Sequence, residues 1–179
     1  MEDRFIEENV RHRLILSGIS ELEEHGIADF SLRRAAMGAQ VSCAAPYRHF
    51  KSKEEYINEI IMYVGSKWEL LSEQIKTIFE NDNAAFVKEL CIASLRFRIA
   101  NRNFPLALAH MKGSGKTVDE SIENAVREYC KDKALDSVET NMKCFTALAM
   151  IHGAVAMVDD DNSDVIFEAF KEKMNREFK

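Results

Sequence analysis

Apolar residues recur along this chain at intervals of three and four, the period of one helix face. The first stripe, Leu14, Ile15, Ile19 and Leu22, predicts a helix over about 6–25, with Gly18 permitting close approach and Gly26 ending it. Ser31 is placed to cap a short second helix reaching about Gly38, and Ser42 to cap a shorter third, Cys43 to about His49. Ser52-Lys53-Glu54-Glu55 reads as a capping box opening a long fourth helix, whose stripe runs from Tyr56 through Ile60, Val64, Trp68, Leu71 and Ile75 to Phe79. At ~1.5 Å per residue that helix is roughly 40 Å long. Helices over about 84–101 and 104–111 follow. Thr117-x-x-Glu120 and Asp136-x-x-Glu139 then open two more near 118–132 and 137–158. Ser163 is the expected cap of the last, with Ile166, Phe167, Phe170, Met174 and Phe178 on one face. The expected fold is all-α, about nine helices, without internal repeat or flexible linker.

Composition narrows the class further. Only 7 glycines and 2 prolines in 179 residues leave too little turn punctuation for a many-stranded fold. No run approaches the ~20 apolar residues of a membrane span, and the start, Met1-Glu2-Asp3-Arg4, lacks the basic opening of a signal peptide, so a cytoplasmic location is expected. Cys43, Cys91, Cys130 and Cys144 form no C-x-x-C pair, and neither a metal site nor a disulfide framework is indicated. Charge is unevenly spread. Phe30 to Lys53 contains Arg33, Arg34, Arg48, Lys51 and Lys53 and no acid, leaving 19 basic against 30 acidic residues elsewhere. An acidic chain that keeps one segment free of carboxylates is suited to placing it against an anion.

Two short helices joined tightly and preceded by a supporting helix make a helix-turn-helix, whose second member enters the major groove. Small residues at the start of the third helix, Cys43, Ala44 and Ala45, suit close approach to base edges. Arg48 can read guanine or bind phosphate, and Tyr47 and His49 can donate to phosphate oxygens. Lys53 in the first turn of a helix opposes the macrodipole, which makes sense beside a phosphate bound at that helix end.

The run Ser31-Leu32-Arg33 … Ala36 … Ala39-Gln40-Val41-Ser42-Cys43-Ala44-Ala45-Pro46-Tyr47-Arg48-His49-Phe50-Lys51-Ser52-Lys53-Glu54 resembles the DNA-binding domain of the TetR family of transcriptional regulators, a likeness covering about residues 8–68. It implies a helix-turn-helix domain over 1–52 and a helical regulatory and dimerisation domain over 53–179. It also implies a ligand-responsive repressor that binds a pseudo-palindromic operator as a homodimer through its last two helices. Family roles fall on Tyr47, His49 and Lys53 as backbone contacts and on Ser42 to Arg48 as the groove-facing segment; Ser31, Arg33 and Lys51 complete the candidate DNA contacts. Two positions depart from the family pattern: the usual turn glycine is Gln40, and Cys43 replaces a residue that is often polar or basic. Further on, Leu148-Ala149-Met150-Ile151-His152-Gly153 resembles a subgroup pattern, Trp-x-x-x-His-Gly, with leucine for tryptophan.

Other motifs carry less. Gly113-Ser114-Gly115-Lys116-Thr117 lacks the leading glycine of a phosphate-binding loop, having His110 there, and Thr117 is better used as a helix cap. Asp159 to Asp164 lacks the glycine and terminal acid of a calcium loop. No nucleophile–base or paired-carboxylate set emerges, so an enzyme is not expected, nor any cofactor. Trp68, Phe97, His110, Met111, Phe145 and His152 are the candidate pocket residues for an unidentified small-molecule effector, on apolar segments whose commoner use is core. The alternative reading is a helical small-molecule-binding protein without a DNA function.

Overall fold

A computed structural model describes residues 2–101, 117–159 and 161–179. Eight helices occupy them, and no strand is present among the described residues: α1 (Glu2–His25), α2 (Leu32–Gly38), α3 (Ala45–His49), α4 (Lys53–Ile78), α5 (Asn83–Ala100), α6 (Val118–Asp132), α7 (Ser137–Met157) and α8 (Ser163–Glu177). The helix expected over 104–111 and the Gly113–Lys116 motif lie outside the described residues. No helix among those described is long and apolar enough to cross a membrane.

Most helix ends follow the expected chemistry. Gly26 stands at φ +72° after α1, and its N–H closes on the Leu22 carbonyl at 2.9 Å. Ser31 Oγ accepts from Arg34 N, and both halves of the Thr117/Glu120 and Asp136/Glu139 capping boxes are made. Two expected caps are corrected. The chain at Ser42 makes a turn, Ala45 N–H to Ser42 carbonyl at 2.9 Å, so α3 starts two residues later and Ser42 Oγ caps nothing. Pro46 consequently occupies the second helical position, where its missing N–H costs no intrahelical bond. Ser163 is the first residue of α8, and the preceding turn is closed by Asp159 Oδ1, which accepts from Asp161 N and Asn162 N.

The chain divides into two compact units, the first running to Ser66 and the second taking Lys67–Asn101 with the described residues from 117 on. In the first, Tyr56 is fully buried. Its ring stacks on Phe50 at 4.1 Å and meets Phe30 edge-on at 5.4 Å, and its hydroxyl donates to the Leu14 carbonyl. One α4 side chain thus holds α1 and the segments on either side of α2–α3. Gly18 lets α1 approach α4: a Cβ there would stand 2.5 Å from Ile60 Cδ1 and 3.0 Å from the Tyr56 hydroxyl. The second unit is built around Trp68, Leu90, Leu95, Ile122, Val126, Ile151, Phe170, Met174 and Phe178, all buried.

Candidate nucleic-acid interface

Helix α2 ends in a Schellman motif: Val41 N–H reaches the Ala36 carbonyl and Gln40 N–H the Met37 carbonyl, both at 3.0 Å. The residue at its left-handed position is Gln40, φ +56°. This turn re-aims the chain so that Ala35, Ala36, Ala39, Ala45 and Pro46 point into the core and the intervening residues point out. Arg33, Ser42, Cys43, Ala44, Tyr47, Arg48 and Lys51 are exposed, Tyr47 by 69%. Ser31, His49 and Lys53 are half-buried. Ala45, at 7% exposure, belongs to the core and drops out of the groove-facing set. Exposure adds Met37, 63% exposed and one turn beyond Arg33 on α2, to the same outward surface. Its apolar side chain gave no sequence signal for a surface role.

The five cations of the acid-free segment do not share one fate. Arg34 is committed: its Nε donates to both oxygens of Glu21, at 2.9 and 3.0 Å, and its Nη2 to the Asp29 carbonyl. Glu21, only 6% exposed, also accepts from the Ser31 backbone N–H at 2.9 Å. Burial pushes its pKa up, but the bonds from Arg34 and Ser31 outweigh that, and the net shift is downward. Lys53 Nζ reaches back to the Ala28 carbonyl at 3.2 Å and lies 6.0 Å from the Phe30 ring centroid. Arg33, Arg48 and Lys51 have no side-chain partner among the described residues. Around the start of α4, Ser52 Oγ accepts from Glu55 N at 3.1 Å. The Glu55 carboxylate reaches one residue further than a standard box, to Lys51 N. The region is therefore an internally hydrogen-bonded frame with an exposed cationic and hydroxylic outer face.

Comparison with solved structures places this arrangement. A TetR transcription regulator from Haloarcula marismortui superposes with a TM-score of 0.70 over 96% of this chain and 97% of its own, at 15% identity. This chain has the TetR fold. The regulator FadR of Bacillus subtilis, solved with stearoyl-CoA, matches with a TM-score of 0.60 over 89% of this chain and 96% of its own, at 12% identity. In sequence, the chain is 30% identical over 87 residues to an Escherichia coli K12 protein described as "Probable acrEF/envCD operon repressor". That match takes in 49% of this chain and spans 40% of the relative's length. No family model matches.

The pocket residues expected in the C-terminal half of this TetR fold are only partly brought together. Trp68, 1% exposed, packs against Phe97 with ring centroids 5.4 Å apart. Phe145, 68% exposed, and His152 lie on the outer face of α7 instead, His152 with its Nε2 3.2 Å from Asp119 Oδ1. His110 and Met111 lie outside the described residues.

Proposed function

We propose that the chain is a TetR-type transcriptional regulator, a repressor that binds operator DNA through α2 and α3 as a homodimer and releases it when a small molecule binds the C-terminal half. The observation that carries this is the outer face of the helix-turn-helix, which presents Arg33, Tyr47, Arg48 and Lys51 without a single carboxylate in the segment and with no internal partner for their side chains. A cluster of uncommitted cations with no acid among them suits a phosphate backbone. In this reading Arg48 on the short α3 reads guanine or binds phosphate, and Tyr47, His49, Lys51 and Lys53 contact phosphates. Residues 1–52 are the DNA-binding domain in this reading, buttressed by the first half of α4.

Dimerisation through the last two helices is supported by α7. Val138, Met142 and Phe145 are each at least 60% exposed and follow one another at the spacing of a helix–helix seam. Ala149, His152 and Ala156, also exposed, continue the stripe by alternating steps of three and four. Fluorescence anisotropy with the duplex upstream of the protein's own reading frame tests the proposal, alongside sedimentation of the free chain. Binding should weaken with salt, and Lys53→Ala should flatten the log–log slope by about 0.9. Arg48→Ala should lower affinity and blur discrimination between duplexes. A chain that stays monomeric and binds no duplex at low salt refutes the reading.

A further inference from the structure

The C-terminal unit contains one side chain that its packing does not account for. Arg98, in the last turn of α5, is 9% exposed. Its Nη2 donates to Asp119 Oδ1 at 2.7 Å, at the start of α6. Its Nε is buried and has no acceptor, alone among the buried side-chain nitrogens and oxygens of the described residues. A guanidinium presents Nε and one terminal nitrogen as a two-pronged edge that matches the two oxygens of a carboxylate. Here one prong is used.

Asp119 is not devoted to Arg98 either. The same Oδ1 lies 3.2 Å from His152 Nε2 on α7. One carboxylate oxygen thus serves two donors, and the trio carries no net negative charge in either protonation state of His152. Burial lowers the Arg98 pKa below the usual guanidinium range, and Asp119 offsets this only in part. An interior arginine of this kind is costly to keep for stability alone. On the preceding position of the same helix, Phe97 packs on Trp68, whose indole N–H donates to Ser121 Oγ, two residues beyond Asp119 in the chain.

We propose that Arg98 anchors the effector site, and that the effector is a small organic acid whose carboxylate takes the open Nε prong. Asp119 is the internal stand-in, which the acid pushes toward His152. The inference deepens the regulator reading and rests on it for the word effector, but acid binding is measured without DNA.

Trp68 is the chain's single tryptophan and packs on Phe97, the neighbour of Arg98 in α5, so its emission reports on the C-terminal unit. The full-length protein is titrated with benzoate and octanoate, and with benzyl alcohol and octanol as uncharged counterparts, at constant ionic strength. Both acids are expected to shift the emission saturably and raise the Tm, with each alcohol at least tenfold weaker. Arg98→Gln should remove that preference, leaving acid and alcohol alike. Should Arg98→Gln fail to fold, Asp119→Asn serves: it keeps the anchor, removes the competing carboxylate, and should tighten acid binding. Equal response to acids and alcohols, no saturable response to any probe, or unchanged acid affinity in the variants overturns the proposal. Acid binding without any DNA binding would sink the regulator reading and leave the site standing; DNA binding without acid binding would do the reverse.

Discussion

Gly18→Ala sets two well-understood effects against each other, and the structure decides the sign. Within a helix, alanine is favoured over glycine by about 1 kcal/mol, so propensity alone makes the variant more stable. Position 18 lies deep in α1, however, and the added Cβ would meet Ile60 Cδ1 at 2.5 Å, Tyr56 Oη at 3.0 Å and Ile60 Cγ1 at 3.2 Å. Ile60 and Tyr56 are both fully buried, and the Tyr56 hydroxyl is bonded to Leu14, so neither can swing aside freely. Overpacking of this sort costs about 1–3 kcal/mol. With two constrained neighbours the upper part of that range applies, and the expected net loss is about 1–2 kcal/mol after the propensity gain. For a chain of this size each kcal/mol moves the Tm by roughly 2–4 °C, so thermal unfolding followed by circular dichroism resolves it. Gly153→Ala in α7 is the control: nothing within the chain lies within 4 Å of a Cβ there, and that variant should gain about 1 kcal/mol. Ile60→Val, which removes the atom at 2.5 Å, should recover much of the Gly18→Ala loss without helping the wild type. A Gly18→Ala protein as stabilised as the Gly153→Ala control would refute the packing argument.

Glu21→Gln removes a carboxylate whose pKa is held below its ordinary 4.5, so the stability that Glu21 contributes is fully present above that value and fades as pH falls through the lowered one. Denaturant melts should therefore show the variant less stable at neutral pH, with the gap closing in acid; a gap unchanged down to the acid range would contradict the assignment. Gln40→Gly relieves a left-handed residue at roughly 1–2 kcal/mol, less about 0.5–1 kcal/mol of glycine's extra chain entropy, and should raise stability slightly while leaving duplex affinity alone. Of the four thiols only Cys43 is exposed, and burial pushes Cys91 up to about 12. Titration of the native protein with a chromogenic disulfide should thus count one fast thiol, and Cys43→Ser should abolish it.

The helices of this protein were legible because each buries one periodic face and most begin with an unambiguous cap. Thr117 and Asp136 could be read directly, since each is followed three residues later by a glutamate that reciprocates. Ser42 and Ser163 misled because a lone serine in a polar stretch is equally at home in a turn, and the turn carbonyl at Ser42 won over its hydroxyl. Glu21 was invisible for a different reason. It stands in Glu21-Leu22-Glu23-Glu24, which reads as a solvated face, and its partners arrive from Ser31 and Arg34, beyond the end of the helix. Only the fold shows that one of the five cations of the acid-free segment is spent on holding α2 to α1.

The outer face of α7 escaped for the opposite reason, an excess of signal. Cys144, Ala147, Ile151 and Ala154 point inward, and Val138, Met142 and Phe145 point outward, so the helix is apolar on two sides and periodicity cannot say which face is core. The same pattern offers Phe145 and His152 equally as pocket or as outward residues. Of those two apolar sides only one is buried within a single chain. The exposed stripe is therefore the strongest internal argument that the folded unit is larger than one chain. It also changes the meaning of the Gly153→Ala control. Gly153 directly follows His152 in the chain and flanks that stripe, and a partner copy packed along it would occupy the space that is open in the single chain. A stability loss in Gly153→Ala that grows with protein concentration, in place of the expected gain, would locate the second copy on α7 by its atoms.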